Sequence, residues 1–273
     1  MDAKRVLTIQ DISCFGQCSL TVALPVISAC GVETCVLPSA LLSTHTAGFK
    51  GYTCLDLTAE MQKILDHWDK EEIYFDAIYT GYLATAEQID IVRRAFSTRL
   101  CEGGLKIVDP VMGDYGKLYP AFDSEFVKEM RALCAEADII LPNITEASFL
   151  TGIEYKEEYD EQYVNALLDG LKAIGAKRIV LKGVGYDKAT TGVVVAGEGE
   201  QFYYQHPRIA RSCHGTGDLF ASAFTGLLTK GNSIRDAVAK TADFVVKSIE
   251  NTDNEAHWYG VNFESCLNSL VRE

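Results

Sequence analysis

Two rhythms alternate along the chain. Short apolar runs bounded by polar or glycine residues read as buried strands: Val6–Gln10, Glu33–Leu37, Phe75–Tyr79, Leu105–Val108, Ile139–Leu141 and Arg178–Leu181. Between them lie segments with a helical period. Thr58–Lys70 has apolar residues at 61, 64, 65 and 68, one face of a helix. Helices are also predicted near Ser19–Cys30, Thr85–Leu100, Ser124–Glu136, Thr145–Leu150 and Glu161–Ile174. Asp123 or Ser124 is a plausible N-cap for the third of these, and Gly175 a stop for the last. Gly192–Ala196 and Gln201–His206 flank a Gly-Glu-Gly-Glu turn and read as a β-hairpin; two helices follow near Gly217–Leu228 and Ser233–Glu250.

Strand–helix alternation over the whole length predicts an α/β fold, with a mostly parallel central sheet covered by helices on both faces. No Pro/Ser-rich linker, low-complexity tract or internal repeat interrupts it, so residues 1–273 are expected to form a single domain. Ligands of such folds bind beyond the carboxyl ends of the strands. Polar or glycine residues fall there five times: Gln10-Asp11, Gly81-Tyr82, Asp109-Pro110, Asn143 and Lys182-Gly183. Any one of these is an ordinary turn residue; five on one rim suggest a site.

Composition narrows the function. The 273 residues are 48% hydrophobic, enough for a core of ordinary size. The net charge of −13 argues against a general nucleic-acid surface, because phosphate neutralisation needs a basic face. No run reaches the ~18 apolar residues of a membrane helix, and the apolar start turns polar at Gln10-Asp11, too early for a secretion signal. Nine scattered cysteines, with no C-x-x-C spacing at Cys14/Cys18 or Cys30/Cys35, read as reduced thiols. A cytoplasmic protein with no membrane or nucleic-acid partner is the expectation.

The sharpest chemical element is His214-Gly-Thr-Gly-Asp218, directly before the helical Leu219–Phe224. Glycines ahead of a helix leave backbone N–H groups uncovered, and with the helix dipole they form an anion-binding N-terminus. Asp218 is either a first-turn carboxylate of purely structural value or a base that takes a hydroxyl proton while the N–H groups hold a phosphoryl group. Competing phosphate motifs are missing: there is no Gly-x-x-x-x-Gly-Lys-Ser/Thr, Gly215-Thr216-Gly217 runs into Phe220 where a dinucleotide fingerprint needs glycine, and no His-Arg-Asp loop occurs. Asp109-Pro-Val-Met-Gly-Asp114 and Pro142-Asn-Ile-Thr-Glu-Ala147 are each readable as capped loops. Together they offer Asp109, Asn143 and Glu146 as oxygen ligands for Mg²⁺, which is usually held through water beside substrate phosphates. Lys182, just past a strand, offers a cation for phosphates, although a lone lysine usually reads as solvated surface.

In their order, Asp109-Pro-Val-Met-Gly-Asp114, Pro142-Asn-Ile-Thr-Glu146 and Gly215-Thr-Gly-Asp218 resemble the ribokinase superfamily, and more closely its pyridoxal kinase branch of vitamin B6 salvage. Arg5–Gln10, Ser43-Thr-His-Thr46 and Gly81-Tyr-Leu-Ala-Thr-Ala-Glu-Gln88 match that branch too, so the similarity runs from the first strand to the helix after Asp218. The resemblance implies a ribokinase-like fold and ATP-dependent phosphorylation of the 5′-hydroxyl of pyridoxal, pyridoxamine or pyridoxine. It implies Asp218 as catalytic base and Gly215, Thr216 and Gly217 as anion hole. Asp109, Asn143 and Glu146 fall on positions associated with ATP and Mg²⁺, often alongside a monovalent cation. Asp114 and Lys182 fall where the family touches nucleotide phosphates. Thr46 and Tyr82 match positions lining the pyridine ring, and Tyr119 lies in a loop that closes over the site. A homodimer is implied as well.

Two departures stand out. Asp11-Ile12 replaces the Ser-His usual in that branch, which raises pyridoxamine as a substrate, and the Tyr115–Tyr119 segment is short. Two alternatives stay open. One is a hydroxymethylpyrimidine kinase of thiamin synthesis, a branch that typically carries Gly-Thr-Gly-Cys and an early Gly-Ser-Asp run. The other is a non-catalytic vitamer-binding protein on the same fold. Cys14, Cys213 and His214 lie near the proposed segments and read as structural residues.

Overall fold

Neighbouring residues of each central strand enter different cores. Val6, Ala77, Ile107, Ile139 and Val180 belong to one buried cluster, and Leu7, Ile78, Val108, Ile140 and Ile179 to another. A strand that is apolar on both faces needs cover on both faces, and this places helices above and below one sheet. The computed structural model describes residues 4–211, 213–253 and 255–271. Its elements are β1 (Arg5–Ser13), α1 (Leu20–Ala29), β2 (Glu33–Leu42), β3 (Cys54–Asp56), α2 (Thr58–Lys70), β4 (Phe75–Thr80), α3 (Ala86–Thr98) and β5 (Leu100–Val108). The chain continues through β6 (Gly113–Asp114), β7 (Lys117–Leu118), α4 (Ser124–Glu136), β8 (Ile139–Ile140), α5 (Ile144–Thr151) and α6 (Glu161–Ala173). It ends with β9 (Arg178–Val184), β10 (Thr190–Gly197), β11 (Glu200–Pro207), α7 (Thr216–Lys230), α8 (Ile234–Glu250) and α9 (Asn268–Val271).

The sheet order is β11-β10-β9-β8-β5-β4-β1-β2-β3. The strands from β9 to β2 pair in parallel, while β3, β10 and β11 are antiparallel additions at the two edges. The apolar residues of α1, α7 and α8 fill one core, and those of α2 to α6 fill the other. This is the α/β arrangement expected from the sequence. Helix α2 has the predicted bounds, and side chains of Thr85, Asp123, Asn143, Asp160 and Ser233 cap the starts of α3, α4, α5, α6 and α8. Each such cap is worth about 1 kcal/mol. The cap of α4 is Asp123 and not Ser124. Among the described residues no helix is long and apolar enough to cross a membrane.

Three differences bear on the site. The edge strand β3 is exposed at all three positions and pairs with the end of β2, so it carries no hydrophobic signal of its own. The β6–β7 ribbon turns at Tyr115 and Gly116, whose φ values are 50° and 73°; two-residue strands are too short for a periodicity to register. Lys182 lies inside β9, which continues to Val184, and not beyond it.

Strands β1 and β4 are adjacent, yet β1 runs on to α1 over one face and β4 to α3 over the other. The two connections therefore diverge at the carboxyl ends of these strands, beside Asp11 and Gly81, the position where folds of this kind bind ligands.

Candidate active site

Helix α7 begins beside these strand ends, its Asp218 reached from Ser19, which also bonds Asp11. Gly215, at its N-cap, has φ 80°, and a Cβ there would lie 1.8 Å from the Gln17 carbonyl oxygen. Both the conformation and the close approach require glycine. Thr216 ties the turn by donating its hydroxyl to the Cys213 carbonyl at 3.3 Å. The N–H groups of the first turn have no carbonyl four residues back within the helix and remain available to an anion. A Cβ built on Gly217 would lie 4.0 Å from Lys182 Nζ, so an ammonium stands beside this N-terminus.

Asp218 sits in the first turn of α7, and its Oδ2 accepts the Ser19 backbone N–H at 2.9 Å. Burial raises its pKa, opposed by that amide and by the Lys182 and His45 charges. The Ser19 hydroxyl donates to Asp11 Oδ1 at 2.6 Å, and the Ser13 hydroxyl to Asp11 Oδ2 at 3.2 Å. Asp11 is only 5% exposed. Burial, with Asp218 adding repulsion, pushes its carboxyl up to about 6. The folded state therefore holds a proton there that the unfolded chain, at an ordinary 3.8, has already released. Between those values the native state binds more protons, so this group makes stability fall as pH rises through the window. Asp11→Asn is expected to remove that slope, melting higher than the parent above pH 6 and close to it at pH 4; a parallel pair of melting curves across this range would contradict the assignment.

Lys182 does not project into solvent. Its Nζ donates to both oxygens of Asp109, at 2.8 and 2.7 Å, with side-chain exposures of 13% and 1%. Burial opposes the ammonium's charge, but Asp109, Glu146 and Asp218 together hold its pKa above the ordinary value. Burial raises the Asp109 carboxyl, against the pull of Lys182. Burial and then Asp109 raise that of Glu146.

The residues of the expected ligand set are bonded to one another, to Lys182 and to the neighbouring backbone. Asn143 and Glu146 form a capping box at the start of α5: Asn143 Oδ1 accepts the Glu146 N–H at 2.8 Å, and Glu146 Oε2 accepts the Asn143 N–H at 2.8 Å. Glu146 Oε1 accepts the Met112 N–H at 3.3 Å, and the Asn143 amide donates to the Gly113 carbonyl at 3.0 Å. Asn143 Oδ1 thus accepts one hydrogen bond, which leaves it a second lone pair, and Asp109 is paired with Lys182. Among the described residues no group of three His, Cys, Asp or Glu could hold a metal ion. The buried Asp109 and Glu146 carboxylates, which repel each other, are the donors here that would fit a hydrated divalent cation.

The remaining predicted residues lie around this cluster. Asp114 is in the β6–β7 ribbon, its Oδ1 accepting the Tyr115 N–H at 2.9 Å, and the ribbon is tied to α5 by Gly116 N–H donating to the Thr145 hydroxyl at 2.9 Å. Tyr119 follows the ribbon; burial raises its phenol, with Glu146, Asp114, Asp218 and Asp109 adding to the rise. Tyr82 packs on Phe122 with ring centroids 5.4 Å apart, and burial plus Asp11 push its phenol up to about 12. Thr46 is exposed in the 43–53 loop, and among the described residues its side chain makes no hydrogen bond. The buried member of that loop is His45, whose ring is 2.5 Å from the Tyr259 carbonyl through Nε2 and 5.6 Å from His214. The sequence carried no signal for His45 beyond its motif. Ser19 looked like any serine ahead of a helix, yet it hydrogen-bonds both Asp11 and Asp218.

The sequence profile of the phosphomethylpyrimidine kinase family matches residues 20–261. A hydroxymethylpyrimidine/phosphomethylpyrimidine kinase of Bacillus subtilis is 28% identical over 251 residues, covering 90% of this chain and 83% of its own. A Bacteroides thetaiotaomicron protein, provisionally assigned as a phosphomethylpyrimidine kinase, superposes with a TM-score of 0.94 at 36% identity, over 100% of this chain and 96% of its own. A second crystal form of it, containing pyridoxal, gives 0.92 at 36% identity, over 99% and 96%. Pyridoxal kinase from Lactobacillus plantarum gives 0.89 at 31% identity, over 98% and 96%. These likenesses bear out the ribokinase-like α/β fold.

Proposed function

The chain belongs to the phosphomethylpyrimidine kinase family, and from that premise we propose that it transfers the γ-phosphoryl group of ATP to the 5′-hydroxyl of a B6 vitamer. A small-molecule kinase with an alcohol acceptor is the common ground of the family and its relatives. The observation that carries the mechanism is the convergence of Asp218, the open first turn of α7 and Lys182 at the end of the parallel strands. In support of the vitamer, two proteins above 30% identity are a pyridoxal kinase and one crystallised with pyridoxal.

Asp218 orients the acceptor hydroxyl and takes its proton as the new P–O bond forms. The N–H groups of Gly215, Thr216 and Gly217 face the charge gathering on the transferred group, where pre-oriented dipoles act without reorganising. Lys182 turns part of its charge from Asp109 to the phosphates. Asp109 and Glu146 would hold a Mg²⁺ ion, which would supply neutralising charge at the phosphate oxygens. Asp114 and Tyr119, on and beside the β6–β7 ribbon, cover the nucleotide side and exclude water. On the acceptor side, Tyr82 and the 43–53 loop with Thr46 line the ring. The buried Asp11 carboxyl favours a protonated ring nitrogen or an amine, which ranks pyridoxamine beside pyridoxal.

Phosphorylation of hydroxymethylpyrimidine is the second reading, favoured by the descriptions of the family and of the Bacillus subtilis relative. A turnover panel of pyridoxal, pyridoxamine, pyridoxine and hydroxymethylpyrimidine with ATP and Mg²⁺, with phosphate position read by NMR, separates the two. The expected result is a kcat/KM for at least one vitamer about tenfold or more above that for the pyrimidine. The reverse order assigns the chain to the pyrimidine, and no ADP release with any acceptor assigns it to binding alone.

A further inference from the structure

We propose that Ser19 is a positioning residue for the base: its backbone N–H aims the Asp218 carboxylate, and its side chain is clamped to Asp11 to keep that N–H in place. The proposal rests on the reading of Asp218 as base.

Serine ahead of a helix normally turns its hydroxyl back to a first-turn N–H. Ser19 is the N-cap of α1, and its carbonyl accepts the N–H groups of Val22 and Ala23 at 3.0 and 2.9 Å, yet its side chain makes no capping bond. The hydroxyl goes to Asp11 Oδ1 at 2.6 Å, a short bond to a carboxyl group. Its backbone, at φ 54° and ψ −129°, lies where glycine is the natural residue. This conformation directs the N–H at Asp218 Oδ2, 2.9 Å away. A backbone in an unfavourable region persists only when its surroundings over-determine it. Here the surroundings are Asp11, itself held by Ser13, and a bridge pairing Ser19 with Ile12 of β1. One residue thus connects the end of β1, the start of α1 and the start of α7. Asp218 Oδ1 makes no hydrogen bond among the described residues and is left to receive the proton.

Two substitutions in the full chain separate aiming from packing. Ser19→Ala loses the clamp but keeps the Cβ that disfavours this backbone, so the peptide relaxes away from Asp218. Its kcat is expected to fall roughly 10- to 100-fold, with the KM for ATP changed by less than about threefold. Ser19→Gly accepts the conformation without steric penalty and is expected to keep kcat within about fivefold of the parent. Glycine outperforming alanine is the signature, because a packing role would favour alanine. The proposal is overturned if alanine keeps the parent kcat, or if glycine is no better than alanine while both melt as the parent does. Should the alanine variant not fold, the glycine variant decides alone: kcat near the parent supports the proposal, and a loss beyond about 100-fold in a folded protein overturns it. If the parent phosphorylates no acceptor, the reading of Asp218 has failed, and crystal structures of both variants then judge Ser19. Displacement of the Asp218 carboxylate in alanine but not in glycine supports the clamp, and an unmoved carboxylate in both overturns it.

Discussion

Asparagine at position 218 is expected to lower kcat by about 10³-fold on the best acceptor, while nucleotide affinity and folding persist. The substitution keeps the shape and an oxygen that accepts the Ser19 N–H, so the start of α7 and its open N–H groups stay where they are. What is lost is the basic charge that takes the hydroxyl proton. Removing it also relieves repulsion with Asp11, whose pKa Asp218 helps to raise. The variant is therefore expected to melt at or above the temperature of the parent. Steady-state turnover, ATP binding by calorimetry and a thermal melt distinguish this from collapse of the site. Turnover within tenfold of the parent would remove Asp218 from the role of base.

Methionine at position 182 is expected to act in the opposite sense, on the fold before the chemistry. It retains the length of the side chain but leaves Asp109, Glu146 and Asp218 without the ammonium that faces them. Removing one partner of a buried pair typically costs about 3–5 kcal/mol, because the other charge is left uncompensated. In a chain of this size that is a fall in Tm of roughly 10 °C. The sign of its pH dependence follows from the carboxyl groups. Their pKa values are already raised by burial, and losing Lys182 raises them further. The native variant then binds protons that the unfolded chain has released, so its stability falls as pH rises through the raised values. The gap between variant and parent is expected to be widest at neutral pH and above, and to narrow towards pH 5. An unchanged Tm at pH 7.5 would mean that the pair adds nothing to stability.

Much of this protein is settled by local sequence. The alternation of apolar residues across β1, β4, β5 and β9 depends on neighbours two residues apart, and it specifies strands buried on both faces. The face of α2 depends on neighbours three and four apart, and its bounds follow from the sequence. Gly215-Thr-Gly-Asp218 marks an open helix start wherever it is placed, since the glycine conformation and the helix dipole are local properties. What only the tertiary structure decided involves partners distant in the chain. Lys182 looked solvated until β9 came within one strand of β5 and met Asp109, 73 residues away. Asn143 and Glu146 have the residue types of both a ligand set and a capping box, and the contacts with Met112 and Gly113 determine which bonds their side chains make. Ser19 became distinctive only when the start of α1 came to lie between Asp11 and a carboxylate 199 residues further on. Periodicity encodes which face of an element is buried; which charge meets which across the strand ends is set by the order in which the strands assemble.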